Sequence, residues 1–458
     1  MSRRRIHEGG TMGAGQSALS RRRLLKAGGA AALTAGVSPG IIVPGRARAQ
    51  QKTLKILTWK HFVPSYDEWF NETYVKDWGE RNDTRVIVDN VGLGDIAARA
   101  AAEVQAQHGH DLVLLLAAPS VHEDQVIDHR EIYEECERRY GSAPDFAIRS
   151  TYNPRTGKYF GFCNAFLPSM LTYRKDLWDA VGVVPDSWDD VRRGGRRIKL
   201  LHESPVGISL APEHNGDHTM RAIMYSFGSS VQDADGSPVL KSKETLAAIE
   251  YVKALYEEAM TDEVLSWDAA SNNSYMVAGS GCLTLDTISI ARASEQLQRP
   301  FASDLRLARA PAGPVGRLAP SFGIFTYFIW KFAANPEGAR QFLVDYTGHT
   351  RQGFLESGFQ NMPSFPDAAP DLADLLANDA TASPPDKYNV LVDGASWTTN
   401  VGHPGHSNAA IAEVLASGLI ATMFAQAAAG QLTPAEALDQ ADARTREIFT
   451  KWRESGKI

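Results

Sequence analysis

The chain has 458 residues, 47 Lys and Arg against 54 Asp and Glu, a net charge of −7 and 43% hydrophobic residues. This length excludes a single small module and points to two lobes or domains, each burying a core of its own. The first 49 residues hold 9 of the basic residues and 1 of the acidic ones, so the remainder carries 38 against 53, a net charge of −15. Nucleic acid and anionic membrane surfaces are therefore poor partners.

In chain order, Ser20-Arg21-Arg22-Arg23-Leu24-Leu25-Lys26 precedes a weakly apolar run from Ala27 to Val43 and then Ala47-Arg48-Ala49. This order predicts a twin-arginine signal peptide over residues 1–49. Basic residues hold the amino end at the membrane, the apolar run enters the export machinery, and the small residues suit cleavage near Ala49. The mature chain would begin at Gln50, in the periplasm. Met12 offers an alternative start that leaves the motif intact. An anchor is disfavoured, because the run falls short of the roughly 20 apolar residues that span a bilayer and is broken by Gly28, Gly29, Gly36, Ser38 and Pro39. Leu419 to Ala429, the most apolar later stretch, is interrupted by Gln426.

Thr53 to Trp59 alternates polar and apolar residues as a strand does, and Asp67 to Arg81 follows with aromatics at helical spacing. A second strand is expected at Arg85–Val88, a helix at Ile96–Gln107, and a strand covered on both faces at Leu112–Leu116. This alternation implies parallel pairing with right-handed crossovers, an α/β lobe. Beyond Tyr159 come an aromatic strand-like passage and Met170 to Trp178. Asp186-Ser187-Trp188-Asp189-Asp190 then offers an N-cap and an acidic first turn for a helix to Leu201. Further helices are expected at Ser242–Ala259 and Pro336–Thr347. Another is expected from Ala435 to Trp452, where Thr433-Pro434-Ala435-Glu436 supplies cap, proline and acid. The Pro- and Asp-rich stretch between Pro363 and Asp386 reads as a surface excursion rather than core.

Three cysteines, Cys136, Cys163 and Cys282, allow one bridge but no disulfide framework and match no zinc spacing; buried thiols acting as small apolar side chains are expected. Of the twelve histidines, His108 with His110, His214 with His218, and His403 with His406 form spaced pairs. No cysteine or carboxylate completes a recognisable metal set, so neither metal nor cofactor is expected. No nucleophile elbow, P-loop or dinucleotide fingerprint occurs.

Five blocks in sequence carry a resemblance. Thr172-Tyr173-Arg174-Lys175-Asp176-Leu177 is followed by Val181-Gly182-Val183, Pro185 and Ser187-Trp188-Asp189-Asp190. Then come Gly281 to Asp286, Ile329 to Leu343, and Ala428 to Leu438. Together they resemble the family 1 extracellular solute-binding proteins, receptors of sugar-importing ABC transporters and relatives of the maltodextrin-binding protein. Arg174 stands where that family usually has Asn, and Ser187 where it has Thr. The resemblance implies a two-lobe periplasmic binding protein fold of class α/β with an interlobe cleft. The first lobe would span residues 50–163 and 288–358, and the second 164–287 and 359–458. Crossings are expected near Gly161–Phe166, Asp286–Ile290 and Leu355–Phe365. The function implied is delivery of a small polar solute, a sugar or sugar derivative foremost, by a monomer to the membrane subunits of an ABC permease.

The expected ligand-binding residues are Trp59, Lys60, His61, Glu213, His214, Asp286, Trp397 and His403. Trp59 to His61 stand past the carboxyl end of the first strand, where open parallel sheets bind ligands. Glu213 and His214 occupy a place from which the family often sends a carboxylate into the cleft. Asp286 ends an apolar strand, where a carboxylate is costly unless it pairs or binds something. Trp397 and His403 belong to a polar, aromatic stretch before a helix at Ala409, whose N-terminus suits an anionic or hydroxyl-bearing ligand. Two other readings stand beside this one: an exported glycosidase or lyase using Glu213 and Asp286, and a polyamine receptor, which would need several acids converging on its ligand.

Overall fold

The computed structural model describes residues 52–117 and 120–458. The signal peptide expected over residues 1–49 and its cleavage site lie outside the described residues.

Strand β1 (Lys52–Trp59) pairs in parallel with β2 (Thr84–Val91) on one side and β3 (Leu112–Leu115) on the other. The crossover between β1 and β2 is helical from Pro64 to Arg81, with a π-helical stretch at Trp69–Tyr74. The crossover between β2 and β3 is α1 (Ile96–Ala106), ended by Gln107 in the left-handed conformation. Strand β4 (Phe162–Leu167) completes this lobe's first pass before the chain leaves it.

Strand β5 (Met170–Arg174) opens the second lobe. After a short helix at Lys175–Ala180 come α2 (Trp188–His202), with Ser187 and Asp190 forming a capping box, and α3 (His214–Ser226). Helix α4 (Lys243–Ala259) is capped by Ser242. Strands β6 (Leu283–Asp286) and β7 (Leu305–Ala308) flank β5, both antiparallel to it. The chain then returns. Strand β8 (Gly323–Ile329) slots between β3 and β4, antiparallel to both, and is buried along its whole length. Helix α5 (Pro336–Thr347) covers that sheet, and β9 (Met362–Pro363) closes its edge against β4. The remainder packs on the second lobe as α6 (Ala409–Ala416), α7 (Leu419–Ala428) and α8 (Pro434–Glu454), the last capped by Thr433 and Glu436.

The two larger sheets, of six and three strands, each cover a core, and Phe166 of β4 and Ile324 of β8 also pack into the second. Leu54, Ile56, Val113, Phe328 and Phe342 are fully buried in the first; Leu171, Ile198, Ile223, Val252 and Phe449 are fully buried in the second. This is the α/β two-lobe architecture the resemblance implies.

The crossings differ in place from those expected. The first lies at Pro168-Ser169, just beyond β4. The second lies near Pro320–Phe322, some thirty residues later than Asp286–Ile290, because β7 still belongs to the second sheet: Leu305 and Leu307 turn inward while Arg306 and Ala308 are only half-buried. Segment 288–358 is thus divided between the lobes. The third follows Phe365, which is fully buried in the first core. Where a surface excursion is expected, Phe365 and Leu376 are both fully buried, and a short helix, Leu372–Ala377, packs its Leu376 into the second core.

At the waist the crossing segments are tied together. Ala319–Pro320 runs parallel to Thr398–Thr399. The Ser321 N–H donates to the Thr399 carbonyl (2.8 Å), and the Ser169 hydroxyl donates to the Pro320 carbonyl (2.8 Å). All three cysteines are buried and unpaired, as expected. Among the described residues no single helix is long and apolar enough to cross a membrane.

Candidate functional site

The carboxyl ends of β1 and β3 and the start of α3 converge where the chain passes between lobes. At the end of β1, Trp59 is only 3% exposed. Its ring packs against His61 at 4.8 Å, Phe62 at 5.2 Å and Phe325 at 6.2 Å between centroids. The exposed ring here is Phe62, 69% accessible, so Trp59 is a core side chain rather than an open stacking face.

Lys60 is exposed, and its backbone N–H donates to the Val91 carbonyl (2.7 Å). His61 is buried and spoken for on both nitrogens. Nδ1 accepts from the Val63 N–H (3.0 Å), which places the proton on Nε2, and Nε2–H donates to Asn361 Oδ1 (3.1 Å). Burial lowers its pKa to about 4, so the ring is a neutral tie between the end of β1 and Asn361, just before β9.

The second lobe presents two carboxylates. Glu213 is the N-cap of α3, its oxygens accepting from the N–H groups of Asn215 (2.8 Å) and Gly216 (2.7 Å). Asp286 ends β6 fully enclosed. Its Oδ1 accepts from the Thr287 N–H (2.5 Å) and its Oδ2 from the Asn272 amide. Burial pushes its pKa to about 6, and the charge of Glu213 adds to the rise. Asn272 Oδ1 in turn accepts from Asn215 Nδ2 (2.9 Å). The pair expected to face the ligand therefore forms a polar chain that fixes the start of α3.

One turn along α3, Asp217 and Arg221 form a buried ion pair (2.5 Å, side chains 3% and 0% exposed). Burial raises the Asp217 pKa against the pull of Arg221.

What α3 presents toward the first lobe is a pair of imidazoles. His214 and His218, four residues apart, stack with centroids 4.0 Å apart. A carbonyl can only accept, so the bond of His214 Nε2 to the Phe322 carbonyl (2.7 Å) places that ring's proton on Nε2. The bond of His218 Nδ1 to the His214 carbonyl (2.9 Å) likewise protonates His218 at Nδ1. Each ring keeps one lone pair, on His214 Nδ1 and His218 Nε2, with no partner among the described residues. Burial, then the neighbouring His214, holds the His218 pKa well below 6.5. His214 is also lowered, by the protein packed around its ring, although the residue itself is exposed. Both rings are neutral.

These rings line a pocket of about 180 Å3 between the lobes. Leu116 and Ile324 supply the first-lobe wall, and Ile411 and Leu415, one turn apart on α6, the facing wall. Ser120 also reaches it, its buried hydroxyl unpartnered among the described residues. No carboxylate, ammonium or guanidinium lines it among the described residues.

The remaining expected residues lie elsewhere. Trp397 is 1% exposed and its indole N–H donates to the Ser169 carbonyl (2.8 Å), pinning the first crossing. His403 packs against Tyr225, with ring centroids 5.3 Å apart and planes tilted by 55°. The N-terminus of α6 is capped by Asn408, whose Oδ1 accepts from the Ile411 N–H (3.0 Å). Of the eight expected residues, His214 alone lines the pocket. His218 stood out in the sequence only as half of a spaced pair. Leu116, Ile324, Ile411 and Leu415 were invisible there, since a pocket-lining aliphatic and a core aliphatic share one sequence pattern.

Comparison with known proteins bears on the fold. Residues 150–348 match the bacterial extracellular solute-binding protein family. A sequence from Brucella abortus (strain 2308) named as a binding protein is 27% identical over 108 residues. The match spans 23% of this chain and about a quarter (26%) of that relative's length. Among solved structures, a sugar transporter from Arthrobacter chlorophenolicus A6 with bound laminaribiose superposes with a TM-score of 0.71 at 16% identity, covering 86% of this chain and 99% of its own. An ABC transporter solute-binding protein from Thermotoga lettingae with α-D-tagatose gives 0.68 at 18% identity, over 87% and 99%. One from Agrobacterium radiobacter K84 with ribitol gives 0.66 at 16% identity, over 87% and 98%. The fold is that of the two-lobe periplasmic binding proteins, and the family resemblance read from the sequence holds.

Proposed function

We propose that the mature chain is a periplasmic receptor that binds a small polar solute, a sugar or sugar derivative foremost, and delivers it to the membrane subunits of an ABC permease. The observation that carries this reading is the pocket between the lobes, to which each lobe contributes a wall. A solute touching both walls favours the closed arrangement over the open one, because only the closed form makes both sets of contacts. His214 is the predicted residue that touches the solute, while Glu213 and Asp286 hold the helix that presents it. Export by the twin-arginine route with cleavage near Ala49 belongs to the same proposal. An intact mass beginning at Gln50 in periplasmic protein is the expected result.

Catalysis by Glu213 and Asp286 finds no support in their surroundings, since each is engaged in holding its own backbone and neighbours. The polyamine reading lacks the converging acids it requires. A thermal-shift panel of sugars, polyols and polyamines tests the proposal. A sugar or polyol at 100 times its dissociation constant should stabilise the protein by about 2.7 kcal/mol. Response to polyamines alone, or turnover of chromogenic glycosides, would overturn it.

A further inference from the structure

We propose that the interlobe pocket selects a compact, uncharged solute with a hydrocarbon face and a hydroxyl donor. Among carbohydrates this means a deoxy or O-alkylated sugar in preference to a fully hydroxylated one. The inference rests on the receptor reading above and narrows its substrate class.

Size comes first. At about 180 Å3 the pocket is smaller than the roughly 300–1,000 Å3 that holds drug-sized ligands, so it fits one ring. Charge comes next. With no ionised side chain on its walls among the described residues, a cation or anion entering it would lose hydration without gaining a partner.

The polar groups that remain can be accounted for one by one. The Ser150 hydroxyl donates to the Phe146 carbonyl (2.8 Å) and that of Ser321 to the Leu167 carbonyl (2.9 Å). Asn408 caps α6 with its oxygen and donates its amide to Gln232 (2.7 Å). What stays available is the lone pair on each of the two imidazoles and the hydroxyls of Ser120 and Ser407, the latter residue using only its backbone N–H, which donates to the Arg149 carbonyl (2.8 Å), among the described residues. His218 is 3% exposed, its Nδ1 is used on its own helix, and its free Nε2 belongs to a ring that lines the pocket. Two neutral imidazoles accept and do not donate here, so they ask for a ligand O–H. The rest of the wall, from Leu116, Ile324, Ile411 and Leu415, offers only hydrocarbon. Each hydroxyl turned toward it without a partner weakens binding by roughly tenfold or more.

Calorimetric titration of the mature protein with matched pairs tests this: galactose against 6-deoxygalactose, and glucose against its methyl glucosides, with trans-1,2-cyclohexanediol and spermidine as further probes. The deoxy or methylated member should bind about tenfold tighter than its parent, and spermidine should not bind. His218→Phe keeps a ring of similar size but removes the acceptor, and should weaken the preferred ligand roughly fivefold to tenfold. Ile411→Asn, on the opposite wall, should shift preference toward the parent sugar, and it serves independently if His218→Phe does not fold. Parent sugars binding as tightly as their deoxy partners would overturn the inference while leaving the receptor reading in place. Cyclohexanediol binding with no carbohydrate bound would remove the sugar reading but keep the pocket chemistry. Silence from every probe would overturn both.

Discussion

Trp59→Ala is the sharpest test of how the end of the first strand is used. Trp59 is 3% exposed and packs on His61, Phe62 and Phe325, so truncation removes a filled core position rather than a ligand platform. Replacing a buried Trp by Ala costs about 3–5 kcal/mol through lost transfer energy and the cavity left behind. Unfolding entropy of about 2.1 cal/mol/K per residue over about 400 residues converts that cost into a fall in Tm of roughly 4–6 °C. Differential scanning calorimetry on the mature protein measures the shift, and titration with a bound solute measures affinity in the same preparation. Affinity within about twofold of the wild type is expected, because the ring does not line the pocket. A large loss of affinity with an unchanged Tm would refute the reasoning and return Trp59 to the binding face.

Breaking the buried Asp217–Arg221 pair by Arg221→Met leaves a lone carboxylate inside α3 and should cost about 3–5 kcal/mol in urea unfolding; adding Asp217→Leu should recover part of that loss. His110 is opposed by burial, yet its pKa is raised by Glu103 and Asp89, which contact its two ring nitrogens at 2.5 and 3.0 Å. Its stabilisation is therefore complete below about pH 6.5 and is lost as the pH climbs through the folded-state value. Melting curves from pH 6 to 9 should show that decline, and Glu103→Gln should flatten it. The three buried, unpaired cysteines should resist a thiol reagent in the native protein and all react once it is unfolded; one reactive thiol per unfolded chain would reveal a disulfide.

The sequence by itself determined the elements and the class of fold. Local chemistry specifies them: Ser187 with Asp190, Thr433 with Glu436, and Asn335 before Pro336 start helices wherever they stand, and the apolar run at Leu112–Leu115 has no stable home except inside a sheet. The order of those elements carried the two-lobe reading. Tertiary structure alone decided the crossings and the site. Whether Leu305–Ala308 joins one sheet or the other depends on which strand edge is open to it, and the edge of β5 lies more than a hundred residues away in sequence. The same holds for each side chain near the cleft. Trp59 and Trp397 carry the chemistry of stacking platforms but are enclosed by residues from distant segments, so solvent and solute cannot reach them. His218, Ile411 and Leu415 look like ordinary helix positions, and they line a pocket because α3 and α6 meet the end of β3 across the waist. Accessibility is a property of all neighbours at once, and no local pattern encodes it.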